Sequence, residues 1–233
     1  KFPEDEEVEI TGGDFGTVSV DLTQGWNMVS GVSRPLALTD VSDPDGILIA
    51  GMLYGFDDAY VTSDSLFPGE GYWLHFDDGG ETVISGTIID AITISLVQGW
   101  NLISGISTPV DINTILDEDN LIVPGTVYAF EGNYIEAESL DPGHGYWIMS
   151  TGEGEITLST TVSMERRVIS VKPEKINTLS LGKQTLYFGA TVLEKDVLSY
   201  SLPPKPPAPA RDIRFSGNTK LCTTDECMIE VMN

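Results

Sequence analysis

Residues 18–31, VSVDLTQGWNMVSG, and residues 92–105, ITISLVQGWNLISG, alternate apolar and polar side chains on both sides of a Gln-Gly pair. Period two is the strand periodicity, so each stretch predicts a strand, a tight turn and a second strand. Gly25 and Gly99 stand where such turns often need a positive φ. Trp26 and Trp100 open the second strands and are expected to plug the core of a small domain, sugar stacking being the functional alternative. Further on, ILIAGMLYGFDDAYVT and LIVPGTVYAFEGNYIEA each predict two strands, joined by the turns DDA and EGN. PGEGYWLHF and PGHGYWIMS put a Pro-Gly turn before an aromatic strand. In that strand Tyr72 and Trp73, or Tyr146 and Trp147, point to opposite faces. One of each pair is expected in the core and its neighbour toward water or a partner.

These stretches are two copies of one pattern. Residues 20–86 align with 94–160 without a gap, 25 of 67 positions being identical. Self-similarity at a fixed offset marks a duplicated unit, and two units are too few for a solenoid. Two similar globules in tandem are expected. Between the matched strands, LALTDVSDPDG faces VDINTILDEDN; in the second, Asp111 is placed to cap a short helix carrying Ile112, Ile115 and Leu116 on one side. Pro44 and Gly46 predict a shorter helix in the first copy.

Composition narrows the class. The 233 residues hold 24 glycines and 13 prolines, and no apolar run approaches the ~20 residues that span a bilayer. The fold class is therefore mainly β: tandem small β-sandwich or barrel-like domains with at most short helices. The chain starts at Lys1 without an apolar signal region, which leaves a processed mature protein or a fragment of a longer one. Cys222 and Cys227 lie in CTTDEC, a loop whose closure by a disulfide suits an oxidising compartment; a reduced thiol pair is the alternative.

The net charge of −24 is unevenly spread: residues 1–163 carry 28 acids against Lys1 and Arg34, and residues 164–233 carry 10 Lys and Arg against 8 acids. An acidic body repels phosphate backbones and anionic lipid, so neither nucleic acid nor membrane insertion is expected. The two histidines, His75 and His144, occupy non-equivalent positions and accompany no nucleophile motif, and GGDFG lacks the lysine and context of a phosphate loop. The chain is read as no enzyme. The one cofactor considered is calcium, at the matched turn residues Asp43 and Asp45 and Asp117 and Asp119, against the plainer reading of solvated turns.

The frame GWN-[LM]-[IV]-S…P…Y-x-F…Y…L-x-PG-x-GYW resembles a repeat of secreted, multidomain bacterial surface proteins. The resemblance covers about 140 of the 233 residues and implies an extracellular location while supplying no catalytic residues. After the repeats, TLYFG…YSLPPKPPAP-x-DIRFSG is similar to the lead-in to C-terminal sorting domains of exported bacterial proteins, although only residues 210–233 follow the prolines.

The expected plan is an acidic arm (1–19), two GWN-type domains (20–90 and 91–163), a region of short strands around Gly182 and Gly189 (164–202), a polyproline hinge (203–209) and a C-terminal strand or hairpin tail (210–233). An isolated hairpin is marginal in water, so the tail must dock. Alternating Ile213, Phe215, Ile229 and Val231 are expected to fill a groove, on this chain or on another copy, as in strand complementation. The function expected is that of a structural subunit of a surface fibre or layer, its partner being other copies of itself. The alternative is an adhesin that stacks surface glycans on Tyr72, Trp73, Tyr146 or Trp147.

Overall fold

A computed structural model describes residues 15–31, 35–161, 176–189, 191–224 and 226–232. The expected acidic arm up to residue 14, the last two residues of the expected second domain and the start of the third region up to residue 175 lie outside the described residues.

The first copy contains β1 (Phe15–Leu22), β2 (Gly25–Ser30), β3 (Leu36–Ala37), β4 (Leu48–Asp57), β5 (Ala59–Thr62), β6 (Ser65–Leu66), β7 (Gly71–Phe76) and β8 (Gly80–Thr87). The second contains β9 (Ala91–Leu96), β10 (Gly99–Ser104), β11 (Val110–Asp111), β12 (Tyr128–Phe130), β13 (Tyr134–Glu136), β14 (Ser139–Leu140), β15 (Gly145–Ser150) and β16 (Gly154–Ser159). Their topologies match pair for pair. The four-stranded sheet β2-β7-β4-β5 repeats as β10-β15-β12-β13, the ribbon β3-β6 as β11-β14, and β1-β8 as β16-β9. All of these pairs are antiparallel, and the protein is mainly β; among the described residues no sheet closes into a barrel.

Each element of the QGWN tetrapeptide has a local cause. Gly25 and Gly99 take φ of +94° and +100°, the left-handed turn that glycine adopts without a steric penalty. Asn27 closes the turn by accepting from the Thr23 amide (3.0 Å) and donating to the Thr23 carbonyl (2.7 Å); Asn101 does the same at Val97, both at 2.9 Å. Gln24 and Gln98 reach across to the carbonyls of Asp77 and Thr151. The expected helices are single 3-10 turns of equal length, Leu38–Asp40 and Ile112–Thr114, so the first is not the shorter. Asp111 caps the second through the Asn113 amide (2.8 Å).

Each copy buries its own apolar cluster, one around Leu53, Tyr72 and Phe76 and the other around Ile103, Tyr146 and Ile148. A third cluster is shared between the copies. Among the described residues of the third region, β17 (Asn177–Leu181) and β18 (Gln184–Phe188) form a hairpin about Gly182, and residues 194–200 then run as 3-10 turns. The tail supplies β19 (Asp212–Phe215), β20 (Leu221–Cys222) and β21 (Ile229–Met232); β20 joins β18 in parallel and β19 pairs with β21. A disulfide links Cys222 to Cys227, their Cα atoms 6.0 Å apart.

Candidate functional site: an aromatic layer under a proline strap

The repeated glycines bring the two copies together. The Ser30 amide donates to the Gly143 carbonyl (3.0 Å) and the Ser104 amide to the Gly69 carbonyl (3.2 Å). Isolated bridges join Val29 to His144 and Glu70 to Ile103. In both cases the second contact is the first with its two copies exchanged, which is the reciprocity of a twofold interface. Approach is so close that a Cβ on Gly71 would lie 2.5 Å from the Ile103 carbonyl oxygen, and one on Gly145 would lie 2.9 Å from that of Val29. The second glycine of PG-x-GYW is therefore an inter-copy contact, and the first, with φ of +87° or +79°, aims the carbonyl that the other copy's serine amide reaches.

Next in the motif, Tyr72 and Tyr146 point into their own cores and accept from the amides of Phe67 (3.2 Å) and Asp141 (2.7 Å). Burial pushes Tyr72 well above the ordinary phenol range and Tyr146 up to about 12. Trp73 and Trp147 point the other way, as alternation requires, yet both are 0% exposed. They fill the shared cluster with Trp26, Met28, Leu102, Tyr128 and Tyr134. Edge-to-face contacts cross between copies: Trp73 meets Phe130 at 4.8 Å and Trp147 meets Phe56 at 4.8 Å. This corrects two expectations. No member of either Tyr-Trp pair faces water, because the opposite copy covers it, and a buried ring offers no platform to a glycan. Trp26 and Trp100 likewise belong to the shared layer, Trp26 buried and Trp100 half-buried, and do not plug separate domains.

The proline segment and the residues before it cross this layer. From residue 201 to residue 208 their carbonyls meet one aromatic donor after another: Tyr128 OH at Ser201 (3.1 Å), Tyr134 OH at Pro204 (2.7 Å), Tyr60 OH at Lys205 (2.8 Å) and Trp26 Nε1 at Ala208 (3.0 Å). The donors come from both copies, so the strap ties one to the other. Prolines suit the place: they lack amide donors that would need satisfying, and an extended polyproline segment presents carbonyls to aromatic-lined grooves. The expected hinge is a strap. Burial holds Tyr60, Tyr128 and Tyr134 well above the usual phenol range, so each stays protonated and able to donate.

Two buried cations fasten the ends. Arg214 pairs with Asp212, both fully buried, and its Nη1 donates to the Pro203 carbonyl (2.8 Å). Lys220 Nζ lies 2.6 Å from Glu136 Oε1 and 2.7 Å from Tyr128 OH, against the face of the Tyr128 ring. The slightly basic tail thus does meet the acidic body, and within one chain.

The residues expected to contact another subunit divide. Ile213 pairs with Val231 and Phe215 with Ile229, so all four share one face of the β19-β21 ribbon. Phe215 is buried against Leu186 and Cys222 of its own chain, whereas Ile229 and Val231 remain exposed. At the turns considered for calcium, Asp43 accepts from the amides of Ile47 and Leu48, and Asp117 from those of Leu121 and Ile122, at 2.7–3.0 Å. Both carboxylates serve their own loops, while Asp45 and Asp119 are exposed; among the described residues no group of three or more His, Cys, Asp or Glu is placed to hold a metal. His75 packs edge-on to Trp26 at 4.9 Å.

Sequence reasoning missed the shared layer, although a signal existed. GYWLHF and GYWIM are nearly unbroken apolar runs, the mark of strands buried on both faces. Among the described residues no helix is long and apolar enough to cross a membrane. No protein-family model, curated protein or solved structure matches the chain.

Proposed function

We propose that the chain is a non-enzymatic structural subunit of an extracellular fibre or layer, built by contacts between copies of itself. One observation carries this reading. Of the thirteen large hydrophobic side chains exposed among the described residues, eight lie between Leu181 and Val231, and three of the others, Val61, Phe67 and Val97, line one groove on the repeats. Exposed apolar side chains concentrated on the third region and tail, with a second set in one groove of the repeats, favour interaction sites on both parts of the chain. Unlike apolar surfaces on one chain suit a head-to-tail contact, which propagates as a filament when the rotation does not close.

The tail's part in that contact differs from the one expected. Its strap and Phe215 are committed to their own chain, which leaves Met228, Ile229 and Val231, with β21 hydrogen-bonded to β19 alone among the described strands. An exposed strand edge flanked by apolar side chains is a template for another chain. The disulfide fits an oxidising compartment, and the likeness of the repeat frame to secreted bacterial surface repeats favours the same location.

The test is solution size by light scattering and negative-stain microscopy, for the full chain and for Ile229→Glu/Val231→Glu. Ordered multimers that disappear in the double variant, with circular dichroism unchanged, are expected. A monodisperse monomer at every concentration would overturn the reading.

A further inference from the structure

Three positions at which the two copies differ in polarity meet at one cavity. Thr23, His75 and Asn133 line it, and 74 residues away from them in sequence stand Val97, Met149 and Ala59. The cavity, of about 420 Å3, lies where the Gln24-Gly25-Trp26 turn of the first copy, the β12-β13 turn of the second and the end of the proline strap meet, the strap adding Pro209, Ala210 and Arg211. Small-molecule sites have volumes of about 300–1,000 Å3 and combine apolar walls with a few convergent polar groups. The corresponding corner at Trp100, reached by exchanging the copies, is lined by the repeats alone and has no cation on its lining.

The polar groups on this lining are uncommitted. Arg211 is exposed and makes no ion pair among the described residues, whereas the one acid of the lining, Glu131, already pairs with Lys183. The Asn133 side chain has no hydrogen-bond partner among the described residues, and neither ring nitrogen of His75 has one, although Nδ1 is buried. A buried polar atom without a partner calls for one. Phe130, half-buried, supplies an apolar wall beside them. A guanidinium takes a carboxylate through two parallel N–H donors. Amide and imidazole groups take hydroxyls, which donate and accept alike, and an aromatic ring suits the C–H face of a pyranose. An acidic sugar carries all three features.

We infer that this cavity binds a hexuronic acid unit of a glycan, its carboxylate on Arg211, its hydroxyls on Asn133 and His75 and its ring against Phe130. The site goes beyond the assembly reading and does not depend on it, since every residue named belongs to one chain. It is also distinct from the Tyr-Trp pairs, which belong to the repeated motif and are buried between the copies; Arg211, His75 and Asn133 lie outside that motif. The acidic body repels polyanions at long range, so a single uronate matched to a single arginine is favoured over a densely charged chain.

The test is isothermal titration calorimetry of the full chain with digalacturonate, in about 0.15 M salt, where the field of the body is screened beyond about 8 Å. Binding is expected, with a change in tryptophan fluorescence from Trp26 on the cavity wall. Maltose, which lacks the acid, and acetate, which lacks the ring, are each expected to bind at least tenfold more weakly. Arg211→Gln is expected to lose at least tenfold in affinity, the scale of a charge-assisted hydrogen bond. Asn133→Ala and His75→Met install the other copy's residues and are expected to weaken binding several-fold, with circular dichroism unchanged. Lys195→Gln removes an exposed cation that is not on this lining and is expected to change nothing. Digalacturonate that fails to bind, that binds no tighter than maltose or acetate, or that binds Arg211→Gln as tightly as wild type would refute the assignment, as would affinity unchanged in both Asn133→Ala and His75→Met. Any of these results leaves the assembly reading standing.

Discussion

At the scale of single residues, the repeated motifs are explained by contacts between copies and need no ligand. Gly71 and Gly145 are the sharpest case, because a methyl group there would meet a carbonyl oxygen of the opposite copy at 2.5 or 2.9 Å. Backbone on both sides leaves little room to yield. Gly71→Ala is therefore expected to destabilise by about 1–3 kcal/mol or more, and Gly145→Ala by less, following the wider gap. Thermal melts of both variants check the order, and equal stability to wild type would contradict the close approach. Arg214 is a second single-residue test. With Asp212 it is buried completely, and it also donates to the Pro203 carbonyl. Arg214→Met leaves the Asp212 carboxylate buried without its cation, at a cost of about 3–5 kcal/mol. The double variant Asp212→Leu/Arg214→Met removes both charges and is expected to recover much of that loss; chemical denaturation of the three proteins measures it.

At the scale of elements, the strap is held by side chains whose protonation matters. Tyr60, Tyr128 and Tyr134 each donate a phenolic hydrogen to a strap or adjoining carbonyl, and burial raises the pKa of each. A folded pKa above the unfolded value of about 10 means that these groups contribute fully below about pH 10. Their contribution is lost as pH rises from there, since the unfolded chain then ionises while the folded one resists. Stability is accordingly expected to be level through neutral pH and to fall steeply above about pH 10. Tyr60→Phe/Tyr134→Phe is expected to cost about 1 kcal/mol per lost hydrogen bond at neutral pH and to flatten that alkaline fall. A pH series of melting temperatures distinguishes this from a general charge effect, which the variant would not alter. Element by element, the strands and their turns were legible in sequence, because alternation and Gln-Gly, Asp-Asp-Ala or Glu-Gly-Asn turns act locally. Residues 194–200 were not: the VLSY that ends EKDVLSY has strand-like composition, yet the segment runs as 3-10 turns and closes with Tyr200 packed against Lys220 and Tyr187, contacts that no local pattern announces.

At the scale of the whole molecule, the duplication was legible and its consequence was not. Periodicity tells which side of a strand is apolar; it does not tell whether that side meets its own domain, a second copy or water. Trp73 and Trp147 alternate with Tyr72 and Tyr146 as predicted, but what covers them is a matter of how copies separated by 74 residues meet. The prolines 203–209 illustrate the same limit, since their composition suits a free spacer and a docked strap equally well. What distinguishes these is the ring of donors from both copies, which only the folded chain assembles. That ring makes a further prediction about the tail. Removing residues 203–233 deletes the acceptors of Tyr60, Tyr134 and Trp26, the Pro203 carbonyl that Arg214 holds, and Lys220 against Glu136. Three aromatic donors and the rim of the shared cluster then face water. The truncated chain is expected to bind a hydrophobic dye strongly, to melt at a lower temperature and to form irregular aggregates. The Ile229→Glu/Val231→Glu variant keeps the strap and is expected to do none of these. Had the tail been a passive connector, the truncated protein would be a stable monomer with no gain in dye binding, and the comparison of the two proteins by dye fluorescence and light scattering decides between a connector and a brace.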